Sequence, residues 1–167
     1  MPWGHFSTAH ITSLILIVVV GVLGYFFLRK KSEIVQKYCM IGLSMPGVFA
    51  IIYNLIAYGN PIEYLPLHMC SIAAILLPIA VIRKNNVIGN LLLIWGVGSL
   101  SALIFNQLAA DYLLFSMEWF VFLIPHACEV IVIVYMFLFK HIKLHPKYII
   151  SSIILTIVIY TIIHFCN

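Results

Sequence analysis

The chain has 167 residues, of which 64% are hydrophobic and 8% are charged. A soluble domain has about 25% charged residues, so nine basic and five acidic side chains cannot cover a soluble globule of this size. A disordered chain is also excluded, because it would need the opposite composition. The basic residues stand in short clusters between long apolar runs, so no nucleic-acid partner is expected. The chain is predicted to be a polytopic membrane protein.

Six apolar runs are each long enough to cross a bilayer, which takes about 20 largely apolar residues. They are residues 10–28, 38–57, 65–82, 87–105, 117–139 and 148–166. None has the alternating polarity of a membrane β-barrel strand, so the predicted fold is an all-α transmembrane bundle of six spans. The connections are short, and residues 1–167 are therefore predicted to form a single integral membrane domain.

The basic residues predict the orientation of the bundle. All nine lie in the first, third and fifth connections, within residues 29–37, 83–84 and 140–147. Lys and Arg are enriched on the cytoplasmic side of membranes, so both termini are predicted to face outward in a multi-pass protein of the cell membrane. No cleavable signal peptide is expected, because no basic region precedes the first run.

Polar side chains inside the runs indicate where a site can lie, because they are costly in lipid. Glu129 lies well inside the fifth run, and His126 lies three residues earlier on the same helical face. A pair between these two side chains is the expected way to hold the carboxylate. His68 and Cys70 lie near the outer end of the third run. This clustering predicts a cavity that opens outward or into the outer leaflet.

Other residues have structural interpretations. Gly96 and Ser99, near one face of the fourth run, predict close helix packing. His10, Trp3 and Trp119 are expected at the membrane interface, where aromatic residues form belts. A proline inside the second, third and fifth runs predicts kinked helices, and the last of them, beside His126, would help to open a cavity. These prolines are Pro46, Pro78 and Pro125.

Residues 64–71 read YLPLHMCS. This stretch resembles the signature of the YwaF-like family of bacterial integral membrane proteins, whose animal relatives include the transmembrane protein 164 acyltransferases. The histidines of residues 5–10, the IWGVG segment at residues 94–98 and the pair Pro125–His126 agree with that family in order and spacing.

The resemblance implies acyl transfer between glycerolipids by a cysteine-dependent enzyme. Carried over residue by residue, the nucleophile falls on Cys70 and its histidine partner on His126. The resemblance also implies a longer protein, in which a seventh span would follow at about the point where this sequence ends. No cofactor is expected for this reaction, and membrane lipid would be both the environment and the substrate.

The residues themselves fit such chemistry. A thiol attacks as the thiolate, so a base must lie within hydrogen-bond reach. His126 is the candidate base, and Glu129 would orient its imidazole ring. His68 would share the site if the third helix begins irregularly. A thioester on Cys70 would then pass its acyl group to a lysolipid hydroxyl, or to water in an acyl hydrolase.

Alternative interpretations stay open at this point. Together His68, Cys70, His126 and Glu129 offer two nitrogens, a sulfur and a carboxylate, a set that suits zinc. An intramembrane zinc-dependent hydrolase is therefore one alternative. Another is a transporter or binding bundle that uses His126 and Glu129 as a proton or ligand site. The last is a bundle without catalytic activity.

The predicted orientation can be tested by cysteine labelling. A cysteine placed at Asn60 or Asp111 should react with an impermeant thiol reagent added to intact cells. One placed at Lys31 or Lys143 should react only after the cells are permeabilised, because the basic connections are predicted to be cytoplasmic. Labelling of Lys31→Cys in intact cells would contradict the orientation.

Overall fold

The computed structural model describes residues 2–58, 69–106 and 109–166. Within these ranges all regular structure is helical, apart from one isolated bridge between Pro2 and Leu113. The helices are α1 Thr8–Leu28, α2 Glu33–Tyr58, α3 Met69–Arg83, α4 Asn86–Phe105, α5 Met117–Leu138 and α6 Pro146–Cys166. The predicted all-α bundle is thus confirmed, and each predicted run coincides with one helix.

Four of the helices are long and apolar enough to cross a membrane, namely α1, α2, α4 and α5. The described apolar segments of α3 and α6 are shorter than these four helices. They cover residues 69–83 and 146–162. The outside of the bundle is apolar as well. Leu16, Leu23 and Phe27 on α1 each expose more than half of their surface, as do Ile154 and Ile157 on α6. Soluble monomers rarely carry large apolar patches, whereas lipid solvates them, and the chain is therefore a multi-pass membrane protein.

Polar caps determine where three of the helices begin. The Ser7 hydroxyl accepts a hydrogen bond from the backbone N–H of His10 at 3.1 Å, and the Ser116 hydroxyl accepts one from Trp119 at 3.3 Å. Asn85 caps α4 in the same way. Such caps satisfy N–H groups that the first turn of a helix leaves unpaired.

The helix α5 lies at the centre of the bundle. It packs against α2 and α4, and it also contacts α3 and α1, while α6 packs on the far side of α4. At Gly96 on α4, an added Cβ would come within 2.8 Å of Ile133 on α5. The close packing predicted at Gly96 is therefore present. Trp95, its neighbour, joins α4 to α6 by donating its indole N–H to Thr156 at 2.9 Å.

The N-terminal segment folds back on the connection between α4 and α5. The backbone N–H groups of Trp3 and Gly4 donate to the carbonyls of Tyr112 and Ala110, both at 2.8 Å. Trp3 is completely buried, and Trp119 is 7% exposed. The prediction that these tryptophans lie in an interfacial belt is therefore wrong, because both pack inside the protein.

His10 is also buried rather than interfacial, which corrects the prediction made from its position near the end of the first run. Its Nδ1 accepts a hydrogen bond from the backbone N–H of Phe6 at 3.1 Å. Its Nε2 consequently carries the proton and donates to the Leu103 carbonyl at 2.8 Å. Both ring nitrogens are used, so His10 is a structural link between α1 and α4.

At the basic end of the bundle, defined by the connections that carry the lysines and arginines, His141 is buried with 7% of its surface exposed. Neither ring nitrogen has a hydrogen-bond partner among the described residues. Nearby, Lys84 forms an ion pair with Glu33. Burial lowers the pKa of His141, and the positive charges of Lys84 and Lys37 lower it further, against the opposite effect of Glu33.

This histidine predicts how stability depends on pH. Because its pKa is lower in the folded state, the unfolded chain binds the proton first, from about pH 6.5 downward. The unfolding temperature of the purified protein in detergent should therefore fall as the pH drops from 7.5 to 5.5. The change His141→Leu should weaken this dependence. The matched control His145→Leu, at an exposed position of the same connection, should keep it. An unchanged pH dependence in His141→Leu would contradict the prediction.

Candidate functional site

A small polar cavity of about 100 Å³ lies between α2, α3 and α5. The polar side chains that line it are Asn54 from α2, Cys70 and Ser71 from α3, and His126 and Glu129 from α5. Three of the four predicted site residues thus line one cavity. The fourth, His68, lies outside the described part of the chain. No hydrogen bond joins Cys70 to His126 in the described structure.

Small and helix-disrupting residues shape the wall of this cavity. At Gly47 on α2, an added Cβ would come within 2.7 Å of the Ala74 side chain on α3, so glycine allows these two helices to approach. On α5, Pro125 has no N–H to donate to the carbonyl of Val121. Gly47, Ala74, Val121 and Pro125 all line the cavity. Pro125 therefore weakens the helix ladder one residue before His126.

The imidazole of His126 has a defined orientation. Its Nδ1 lies 2.7 Å from the carbonyl oxygen of Phe122, one turn earlier in α5. A carbonyl can only accept, so Nδ1 carries the proton, and in the neutral ring Nε2 is left with a free lone pair. Nε2 is then the nitrogen that can take a proton.

Glu129 does not orient this ring as the sequence led us to expect. The Phe122 carbonyl does so instead, and no hydrogen bond links His126 with Glu129 in the described structure. Glu129 is 3% exposed, and its Oε1 has no hydrogen-bond partner among residues 2–58, 69–106 and 109–166. An unpartnered carboxyl oxygen inside the bundle is costly, and here it belongs to a side chain that lines the polar cavity.

Sequence reasoning missed Ser99 as a member of this site. Its hydroxyl on α4 neighbours both the Cys70 thiol and the Glu129 carboxyl group, although it forms no hydrogen bond of ordinary geometry with any described residue. The side chain is fully buried. In the sequence, the small side chain of Ser99 was explained by close helix packing. Its position one turn after Gly96, on the packed face of α4, gave no separate indication of a role in the site.

A second cavity, of about 140 Å³, continues from the first towards the connection between α4 and α5. The two cavities share Asn54, Val121 and His126. Tyr112 and Glu118 line the second cavity but not the first. Together the two cavities form a polar route from the end of the bundle that carries the N-terminus to Glu129. His126 lies at the boundary between them.

The described residues include no group of three or more His, Cys, Asp or Glu side chains placed to hold a metal ion. Cys70, His126 and Glu129, the three described members of the predicted zinc set, therefore do not form such a group. His68 lies outside the described residues, and the four-residue set stays a prediction. Cys70 is a free thiol, as are Cys39 and Cys128.

Comparison with known proteins identifies the family. The profile of the TMEM164 family matches residues 5–167, which is nearly the whole sequence, and the chain belongs to that family. The relation to transmembrane protein 164 predicted from the YLPLHMCS stretch is thereby confirmed. No curated protein and no solved structure matches the chain.

The burial of Glu129 predicts the outcome of two substitutions. Glu129→Gln keeps the shape of the side chain, and Glu129→Leu replaces a buried carboxyl group, whose Oε1 has no hydrogen-bond partner among the described residues, with an apolar side chain. Both variants should fold, and Glu129→Leu should unfold at a temperature equal to or above that of the wild type. Thermal unfolding of the purified variants measures this. Loss of folded protein in Glu129→Leu alone would show that the carboxyl group holds the helices together.

Proposed function

We propose that this member of the TMEM164 family is a lipid acyltransferase that carries the acyl group on Cys70 and uses His126 as its base. The observation that carries the proposal is that both side chains line one polar cavity, where the bond from Nδ1 to Phe122 leaves His126 Nε2 able to accept a proton. Family membership supports lipid as the substrate. The proposed location is the cell membrane.

In the first half-reaction, His126 Nε2 takes the proton of the Cys70 thiol, and the sulfur attacks the carbonyl carbon of a glycerolipid ester. The carbon–oxygen ester bond breaks, and the acyl group remains on sulfur as a thioester. The lysolipid oxygen leaves with the proton that the imidazolium returns. Cys70 is therefore acylated, and the ring is neutral again.

In the second half-reaction, the hydroxyl of an acceptor lysolipid gives its proton to His126 while its oxygen attacks the thioester carbonyl. The carbon–sulfur bond breaks, the new ester leaves, and the thiolate regains its proton. Water in place of the lysolipid would make the protein an acyl hydrolase. Transfer is favoured over hydrolysis when the lysolipid, rather than water, occupies the cavity beside the thioester.

Three further side chains have proposed roles. The Ser99 hydroxyl and the Asn54 amide are donors that can stabilise negative charge on the carbonyl oxygen. Glu129 faces the same cavity, where a carboxylate would stabilise the imidazolium as it forms. Their support is that Asn54 and Glu129 line the cavity with Cys70 and that Ser99 neighbours the thiol. For a role of His68, the only support is its position two residues before Cys70 in the sequence.

The acylated cysteine is the direct test. Purified protein incubated with a phospholipid that carries a radiolabelled acyl chain should retain label that hydroxylamine releases. The label should be absent from Cys70→Ser and present in Cys128→Ser, the matched control, since Cys128 is a partly buried free thiol of α5. His126→Gln should slow acylation by about 10²–10⁴-fold, the usual contribution of a general base.

Two results would overturn this mechanism. One is equal labelling of the wild type and Cys70→Ser, because the thioester would then lie elsewhere. The other is bound zinc in the purified wild type that is lost from both Cys70→Ser and His126→Gln, because shared ligation would favour the zinc-dependent hydrolase.

A further inference from the structure

Two apolar grooves run along the outside of the bundle. One groove, of about 520 Å³, lies between α2 and α5, and the other, of about 580 Å³, lies between α1, α4 and α5. Both fall within the range of about 300–1,000 Å³ that is usual for ligand sites. They differ in what lies behind them, since only the first adjoins the polar cavities.

The α2–α5 groove adjoins the cavity that contains Cys70. Ala50, Val121 and Pro125 line both of them, so these three residues form a shared wall. Tyr53 also lines the second polar cavity. The remaining lining residues are apolar, namely Pro46, Phe49, Ile52, Met117, Phe120 and Ile124. A molecule with an apolar chain and a polar end would therefore fit across the shared wall.

Both sides of this groove contain a proline. Pro46 lies inside α2, and Pro125 lies inside α5. Each proline removes one backbone hydrogen bond from its helix, so the hydrogen-bond ladders of α2 and α5 are both interrupted beside the groove. The mouth of the groove faces lipid, because Phe49 and Met117 each expose more than half of their surface.

We propose that the α2–α5 groove binds the acyl chain of the lipid that reacts at Cys70. This inference rests on the proposed function, which it extends to a binding surface for one part of the substrate. The ester end would pass the shared wall of Ala50, Val121 and Pro125 and reach the cavity, while the chain would lie along α2 and α5. The acyl chain of a lipid suits this groove because the surrounding bilayer supplies such chains. The polar ester at the end of the chain would lie in the polar cavity.

The size of the groove indicates which part of the chain it recognises. From Pro46 to Tyr53 the groove follows eight residues of α2, or seven steps of ~1.5 Å each, which is about 10 Å. That length is about a third of the ~30 Å hydrocarbon core. The groove therefore holds the carbons next to the ester, and the rest of the chain extends into the bilayer. Bulk or branching near the carbonyl should affect binding more than total chain length does.

The test uses a phospholipid whose acyl chain carries a photoreactive diazirine close to the carbonyl. The full chain is reconstituted in vesicles with Cys70→Ala, so that binding is measured without the reaction, and labelled residues are mapped by mass spectrometry. We expect label on groove residues of α2 and α5. Ile124→Trp fills the groove and should lower this labelling severalfold, and Ile52→Trp tests the same point from α2 if the first variant does not fold.

Val134→Trp is the matched control. Val134 is also an aliphatic residue of α5, with 44% of its surface exposed against 40% for Ile124, but it lines the α1–α4–α5 groove. That groove shares no lining residue with either polar cavity among the described side chains. Labelling of the α2–α5 groove should be the same in Val134→Trp as in the parent Cys70→Ala protein.

The possible outcomes separate this inference from the proposed reaction. Equal labelling of the two grooves, or no loss of label in a folded Ile124→Trp protein, would overturn the acyl-chain site. Crosslinking of two copies through Phe49→Cys would also overturn it, because a second chain would then cover the groove. Labelling confined to the α2–α5 groove of the Cys70→Ala protein, together with no thioester at Cys70 in the wild type, would support the lipid site and reject the transferase.

Discussion

Hydrocarbon offers a polar group no water, so each polar side chain inside a span must face another part of the protein. This constraint decides which helix lies at the centre. α5 carries His126 and Glu129, and it is surrounded by α1, α2, α3 and α4. α1 turns His10 inward to the Leu103 carbonyl and presents its aliphatic side chains to lipid. The arrangement of the bundle thus follows from the few residues that lipid cannot solvate.

The helices could be predicted from the sequence because their apolar lengths are set by the bilayer. Their ends could not, because caps and charged first turns lie outside the apolar pattern. α2 begins at Glu33, five residues before the predicted run, since Glu33 and Lys37 extend the helix beyond the hydrocarbon. Trp3 and His10 were misplaced for another reason. The depth of a residue along an apolar run does not indicate whether its side chain faces lipid or protein. In addition, the N-terminal segment folds back over the end of the bundle.

The candidate site could also be predicted only in part from the sequence. Cys70, His126 and Glu129 stand out in sequence because thiol, imidazole and carboxylate groups are rare in apolar helices, and all three line one cavity. Ser99 does not stand out, because a small residue one turn from Gly96 fits helix packing equally well. The orientation of His126 could not be predicted either, since it depends on which acceptor the ring reaches. Glu129 was the expected partner, but the Phe122 carbonyl lies 2.7 Å from Nδ1.

Pro125 connects these features, because it belongs to the wall of both the polar cavity and the α2–α5 groove. Its missing N–H leaves the Val121 carbonyl without its usual helical partner, and Val121 lines both polar cavities as well as the groove. The backbone irregularity, the position of His126 and the opening towards lipid therefore arise at one point of α5. A proline retained only to shape the bundle could lie anywhere along the helix. Its position one residue before His126 is what the proposed reaction requires, since the base must meet a substrate that arrives from the side.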